Sequence, residues 1–595
     1  MTRIPERKNV KQIYKWDLTA LIDGDAQWET VFGKVKEEAK RLSSFKGALS
    51  DDGKLLEFFR ERDAAMQTLL RLYLYAHMSN HTDTRADKYQ KMKDRIDTFS
   101  VEFSSSLSFV SPEICLRSAE NLRELAGREE FSDYSYELAT YAKNKDRILS
   151  ENEEKIISET GAFSGGFQDA FNMFDNADVR FRDITLNGKK TEMSHGVYGM
   201  AMQSSDRAAR QEAFNSMFEA YKDHVNTIAA LYAGNLKKDW FYAKLRKYPS
   251  CLERELDAND VEPAAYTNLI KATEKGLKTL HAYMRLRKKV LGYDKLNMWD
   301  LHTALVDGAE MRFSYEKAFK TVKRALEPLG EDYQALLDKA YSEGWIDVME
   351  NRGKRSGAYS WATYGVHPYV LLNHKPTLNS VFTVAHELGH AMHSYYSNSA
   401  QPFAKSDYVI FVAEIASTVN EVLLLKYLLE GADKNTRKYL LGYYLDMFRT
   451  TLFRQTMFAE FELRAHTLVE NGSPVTAEAL GDIYYGLNKK YYGSAVTHND
   501  LIRYEWARIP HFYNSYYVYQ YATGLTAAVS IAADILKRGK PAVEAYKKFL
   551  SAGGSMPPMD ILRLAGVDLA CDAPYDNAMA EFKKTLAELG RLFNE

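Results

Sequence analysis

Ser380-Val-Phe-Thr-Val-Ala-His386-Glu387-Leu-Gly-His390 places His-Glu-x-x-His inside a helical pattern, and most of the chain can be read outward from it. At 3.6 residues per turn His386 and His390 lie about 40 degrees apart on one face, so both imidazoles can reach one metal ion. Glu387 falls roughly 100 degrees from His386 and 60 degrees from His390, beside such an ion and not on it, where a base would take a proton from water. Val381, Val384, Leu388 and Met392 supply apolar anchors on other faces. A His-Glu pair in so apolar a helix is costly to bury without a partner, which argues against a surface coincidence.

A catalytic zinc takes three protein ligands and keeps one position for water. His393 shares the face of the other two histidines, but seven residues separate it from His386 by roughly 10.5 Å of helix, so it is expected near the ligands or the substrate and not on the ion. Downstream, Tyr408 to Glu430 reads as a second helix carrying Glu414 and Glu421 on one side, with Thr418 between them. Those carboxylates also stand about two turns apart, so one should ligate, and spacing does not choose between them.

Most of the remaining sequence is helical in period. Apolar residues recur every three or four positions from Leu55 to Met78, and similar patterns run over Gln211 to Tyr232, Pro263 to Val290 and Tyr439 to Leu468. Val179 to Leu186 alternates and ends at Asn187-Gly188, which predicts a hairpin and a lobe junction. Between Trp345 and Asn373, glycines at 353, 357 and 365 and the run Tyr369-Val-Leu-Leu372 predict a small sheet just before the metal helix. An exposed edge around Tyr369, Leu371 and Asn373 would hold an extended peptide through main-chain hydrogen bonds, with Gly357 permitting close backbone approach.

The 595 residues exceed what one core usually supports, so two lobes are expected. Hydrophobic residues at 46% and charged residues at 27% describe a folded protein, and a net charge of -2 offers no basic field for nucleic acid. The N-terminus lacks the apolar core of a secretory signal, and the most apolar stretch, Leu525 to Leu536, is interrupted by Ser530 and Asp534, as in a buried helix. Cys115, Cys251 and Cys571 encode neither a disulfide framework nor a cysteine metal site, so a reducing cytoplasm and no membrane association are expected.

The sequence resembles the thimet-oligopeptidase-like zinc peptidases of family M3, in their oligoendopeptidase F branch. The matching stretches are Arg355-Ser-Gly-Ala-Tyr-Ser360, His367-Pro-Tyr-Val-Leu-Leu-Asn373, Ala385-His-Glu-Leu-Gly-His-Ala-Met-His-Ser394, Phe411-Val-Ala-Glu-Ile-Ala-Ser417 and His511-Phe-Tyr-Asn-Ser-Tyr-Tyr-Val-Tyr-Gln-Tyr-Ala-Thr-Gly524. Leu550-Ser-Ala-Gly-Gly-Ser555 and Ala565-Gly-Val-Asp-Leu569 look similar too. The resemblance implies a mainly α, two-lobed metallopeptidase enclosing a substrate channel, with a small β-sheet beside the metal helix, an N-terminal helical lobe over 1–195 and a catalytic domain over 196–595. It implies one Zn2+ per chain on His386, His390 and Glu414, Glu387 as general base, and oligopeptides as substrates. It further implies that His511, Tyr516 and Tyr519 stabilise the transition state, that Gly357, Tyr359, Tyr369, Leu371 and Tyr513 contact substrate, and that His393, Thr418 and Glu421 surround the ligands. For the tyrosines, in a chain with 40 of them, the competing reading is aromatic helix packing. A zinc carboxypeptidase and a non-catalytic, zinc-containing, helical peptide-binding protein are the rival functions. A structural zinc site would need a fourth protein ligand, usually cysteine, and none lies nearby in sequence.

Overall fold

The computed structural model describes residues 4–306 and 311–595, and these are overwhelmingly helical, with only short strands. Two compact units arise from an interleaved chain. The first comprises Met1–Glu151, Met311–Lys426 and Ile531–Gly566, and the second Asn152–Glu310, Tyr427–Ser530 and Val567–Glu595. The chain first passes between units at 151/152. The reason lies in the core of the first unit: Trp28, Phe58, Phe59, Leu72 and Phe99 from the N-terminal helices are packed in one cluster with Tyr369 and Leu371 from far downstream.

In that unit the longest element is α1 (Asp52–Thr82), which covers the segment predicted from Leu55 to Met78 and starts where the Asp51 side chain accepts from the Lys54 amide. The predicted sheet is present as β1 (Ile346–Asp347), β2 (Tyr359–Trp361) and β3 (Tyr369–Leu371). Its spatial order is β1-β3-β2, with β3 parallel to β1 and antiparallel to β2. Asp347 is fully buried and anchors the sheet by pairing with Arg7 and with Lys354, 2.7 Å away. The strand order corrects the expected substrate edge. Val370 pairs with both Ile346 and Ser360, so Tyr369 to Leu371 is the central strand and its hydrogen bonds are already used; the free edge belongs to Tyr359–Trp361.

Two further helices follow, α2 (Leu378–Ala400) and α3 (Ile410–Glu430). The Thr377 hydroxyl caps α2 by accepting from the Ser380 amide, and Val381, Val384, Leu388 and Met392 are buried as their spacing predicted.

In the second unit, Asn187 and Gly188 both take positive φ, at 52° and 71°, and join the antiparallel strands Ile184–Leu186 and Lys189–Thr191. Those values are the demand of a tight hairpin turn. Pro263–Val290 is one helix, whereas the Gln211 to Tyr232 pattern is divided at His224 and the Tyr439 to Leu468 pattern passes through a widened turn at Phe448–Phe453. No helix among the described residues is long and apolar enough to cross a membrane, and Cys115, Cys251 and Cys571 are free thiols.

Candidate metal centre

Helices α2 and α3 meet through the smallest side chain in the motif. A Cβ at Gly389 would lie 2.5 Å from the Ser417 Cα and 2.7 Å from the Ala416 carbonyl oxygen, so only glycine allows this approach. Asn420, fully buried, ties the same interface: its amide donates to the Ala385 carbonyl at 3.1 Å and its oxygen accepts from the Tyr333 hydroxyl at 3.2 Å. The Ala385 contact adjoins the His386 backbone, fixing where the first imidazole begins.

The interface brings three donor atoms together. His386 Nε2 and His390 Nε2 are 3.2 Å apart, and Glu414 Oε2 lies 3.4 Å from the first and 3.5 Å from the second. Ligand bonds of about 2.0–2.2 Å in tetrahedral array place neighbouring donors roughly 3.3–3.6 Å apart, so this triangle is the size of one face of a zinc coordination sphere. A metal ion held by these three protein donors would keep a fourth position for water.

Spacing alone left Glu414 and Glu421 equivalent, and the geometry separates them. Glu421 Oε1 stands 3.4 Å from His386 Nδ1, on the opposite edge of the ring from Glu414. A carboxylate there fixes the ring and directs Nε2 towards a metal. The Ser417 hydroxyl donates to the Glu414 carbonyl and to its Oε2, holding that carboxylate in place. Thr418 sits half-buried on α3, one turn beyond Glu414.

Electrostatics follow the same arrangement. Burial pushes His386 down, but Glu421 foremost, then Glu387 and Glu414, hold it up at about 9. Burial pushes Glu414 up, yet His390, His386 and Ser417 hold it at about 2, ionised and ready to ligate. A proton on so basic an imidazole has to leave when a cation binds. Glu387 is 7% exposed, and burial raises its pKa against the pull of His386 and His390.

His393 belongs to a different environment. It is 1% exposed, stacks on Tyr408 at 3.8 Å, and neither ring nitrogen has a hydrogen-bond partner, so it does not orient either ligand. Burial pushes it from 6.5 to about 3. On acidification the unfolded chain therefore takes up this proton first, and stability falls from about pH 6.5 downward. Between pH 8 and pH 5 the chain should lose about 2 kcal/mol through this residue, and His393→Phe should remove that share. Urea titrations in chelator at both pH values would show it; parallel losses in the two proteins would sink the claim.

Around the sheet, Gly357 has φ of 84° and open space beside it, so it serves a turn leading into β2, where the Asn373 amide donates to its carbonyl. The Tyr359 hydroxyl lies 2.7 Å from His81 Nδ1 on α1. Tyr369 and Leu371 are fully buried and present no side chain to a substrate.

Within the second unit, the tyrosine run divides into buried and exposed members. Tyr513, Tyr516 and Tyr519 are buried: Tyr513 stacks on Phe171, and Tyr516 and Tyr519 pack on Tyr266. The Tyr516 hydroxyl has no partner, while its backbone amide donates to Glu462. Exposed His511 is instead accompanied by Tyr517, with rings 6.0 Å apart, and by Tyr521, whose hydroxyl is 3.5 Å from His511 Nε2. From sequence these two tyrosines read as packing residues, and Gly389 and Asn420 were missed. An uncharged amide inside Val419-Asn420-Glu421-Val422-Leu423 was the one available signal.

Comparison with known proteins agrees with this construction. The sequence pattern of peptidase family M3 matches residues 200–581, and that described as oligopeptidase F matches residues 113–181. The oligopeptidase PepF of Bacillus subtilis is 41% identical over 594 residues, covering 99% of this chain and 89% of the relative. The group B oligopeptidase PepB of Streptococcus agalactiae is 38% identical, covering 98% of each. Among solved structures, oligoendopeptidase-F from Enterococcus faecium superposes with a TM-score of 0.75 at 34% identity, covering 95% of this chain and 98% of that one.

Proposed function

Given that the chain belongs to peptidase family M3 and is a metalloendopeptidase of the oligoendopeptidase type, we propose that it hydrolyses internal bonds of short to medium oligopeptides with one zinc ion and Glu387 as general base. The observation that carries this reading is the donor triangle of His386, His390 and Glu414, with edges of 3.2 to 3.5 Å and a buried carboxylate alongside. Bound there, zinc supplies a Lewis acid that brings the pKa of a coordinated water towards about 7.

The chain's own residues do the rest. Glu387 takes the proton of the attacking water as the scissile carbonyl becomes tetrahedral, then returns it to the leaving amine. Glu421 and Ser417 keep His386 and Glu414 aimed while charge moves. The free edge of β2 supports recognition by main-chain hydrogen bonds, which favours broad sequence tolerance. For His511 the resemblance supports donation to the oxygen that gains charge, a contact typically worth about 3 kcal/mol, and the neighbouring Tyr521 and Tyr517 are stronger companions than buried Tyr516 or Tyr519. The family's bacterial relatives support a cytoplasmic location.

The decisive assay is a peptide blocked at both termini. It should be cut internally, the cutting should stop with chelator, and zinc should restore it. An intact blocked peptide beside a digested free one would instead mark an exopeptidase.

A further inference from the structure

A cavity of about 560 Å³ opens in the first unit between α1, the end of β2 and the segment joining α2 to α3. Its position ties it to the peptide-binding edge: Ser360 to Tyr364 form one wall, while Ser394 and Asn398 lie on α2 one and two turns beyond His390. Aromatic rings dominate the lining, from Tyr73, Trp361, Tyr364, Phe403 and Tyr408.

Among these rings sits one carboxylate. Asp407 is accessible from the cavity, and its only hydrogen bond is from the adjacent Tyr408 amide at 2.9 Å. No basic side chain among the described residues pairs with it. Lys405, two positions away, donates instead to the Ser132 carbonyl and the Ser135 hydroxyl, and Arg71 on α1 donates to the Tyr364 carbonyl. Asp407 is itself exposed, and the protein atoms around it push its carboxyl up. A second unspent group shares the wall: Thr363 is 5% exposed, and its hydroxyl has no partner.

We propose that this cavity receives a cationic group of the peptide substrate, either a Lys or Arg side chain or a free α-amino terminus, an inference that rests on the peptidase reading above. Aromatic faces attract a cation through their quadrupoles, and the attraction grows when water is excluded. Asp407 supplies the matching charge. A neutral apolar side chain would fill the same space while leaving that charge unmet.

Three matched oligopeptides test it: one acetylated and without cations, one acetylated with a single Arg scanned along its length, and one uncharged but with a free amino terminus. One of the two cationic peptides should exceed the neutral one in kcat/KM by about ten-fold or more, mainly through KM, and which one wins identifies the source of the cation. Asp407→Asn should cut that ratio several-fold, and Asp407→Lys should turn the preference towards a Glu-containing peptide. Dissociation constants of the same peptides on the full chain in chelator give the same ratio without turnover, so the proposal is testable even if the assigned chemistry is wrong. Equal handling of neutral and cationic peptides by the unaltered chain, or a preference undiminished by Asp407→Asn, overturns it.

Discussion

Replacing Glu387 by Gln should lower kcat by about 10³-fold while the chain still binds one metal ion. The two halves of that expectation come from different atoms. Metal retention depends on His386 Nε2, His390 Nε2 and Glu414 Oε2, none of which the substitution touches. Turnover depends on a carboxylate that is held in a crowded position beside both imidazoles, and glutamine there can neither accept nor return a proton. The swap also preserves volume in a 7% exposed site, so little repacking is expected to blur the result. Metal content by elemental analysis and turnover on a blocked peptide should be read from the same sample. A variant that holds metal normally and works at full rate would remove Glu387 from the mechanism.

Periodicity made the helices and two of the three clustered donors legible, because both imidazoles come from one rigid element whose pitch is known. The third donor was legible from spacing only as a pair, and the resemblance alone chose Glu414. Glu414 and Glu421 share a face of α3, and what divides them is which edge of the His386 ring each meets, 3.4 Å from Nε2 for one and 3.4 Å from Nδ1 for the other. Ring orientation is set by packing between helices, which one-dimensional spacing does not contain.

The placement of the tyrosines was not legible, for a backbone reason. Tyr516 adopts φ of 54°, so the segment before the helix Tyr519–Arg538 has no constant period, and counting from His511 predicts neither side-chain direction nor burial. The misjudged strand edge was more readable than it was taken to be. Tyr369-Val-Leu-Leu372 is an unbroken apolar run, the signature of a strand covered on both sides, whereas Tyr359-Ser360-Trp361 carries a polar residue at its centre. The run that looked most like a binding strand is the one its neighbours had already occupied.

Gly389→Ala should be the most damaging single-methyl change in the site, and it separates two uses of glycine. At Gly357 the backbone has φ of 84° with nothing within 4 Å of an added Cβ, so alanine there costs about 1 kcal/mol of local strain and leaves the ligands alone. At Gly389 the backbone is helical, and the obstacle is the facing chain: the new methyl would meet the Ser417 Cα, the Ala416 oxygen and the Ser417 nitrogen at 2.5 to 2.8 Å. Backbone atoms cannot rotate away as a side chain could, so α2 and α3 must separate. The donor triangle spans those helices, and its two long edges, 3.4 and 3.5 Å, are the ones that would open. Overpacking of this kind costs about 3 kcal/mol, and displaced support of a ligand lowers metal affinity by about 10- to 100-fold. Thermal unfolding should therefore show a larger loss for Gly389→Ala than for Gly357→Ala, and zinc competition against a fluorescent chelator should show weakened binding only for Gly389→Ala. If the Gly389 variant binds zinc as tightly as the unaltered chain, close helix approach is not what sets this site.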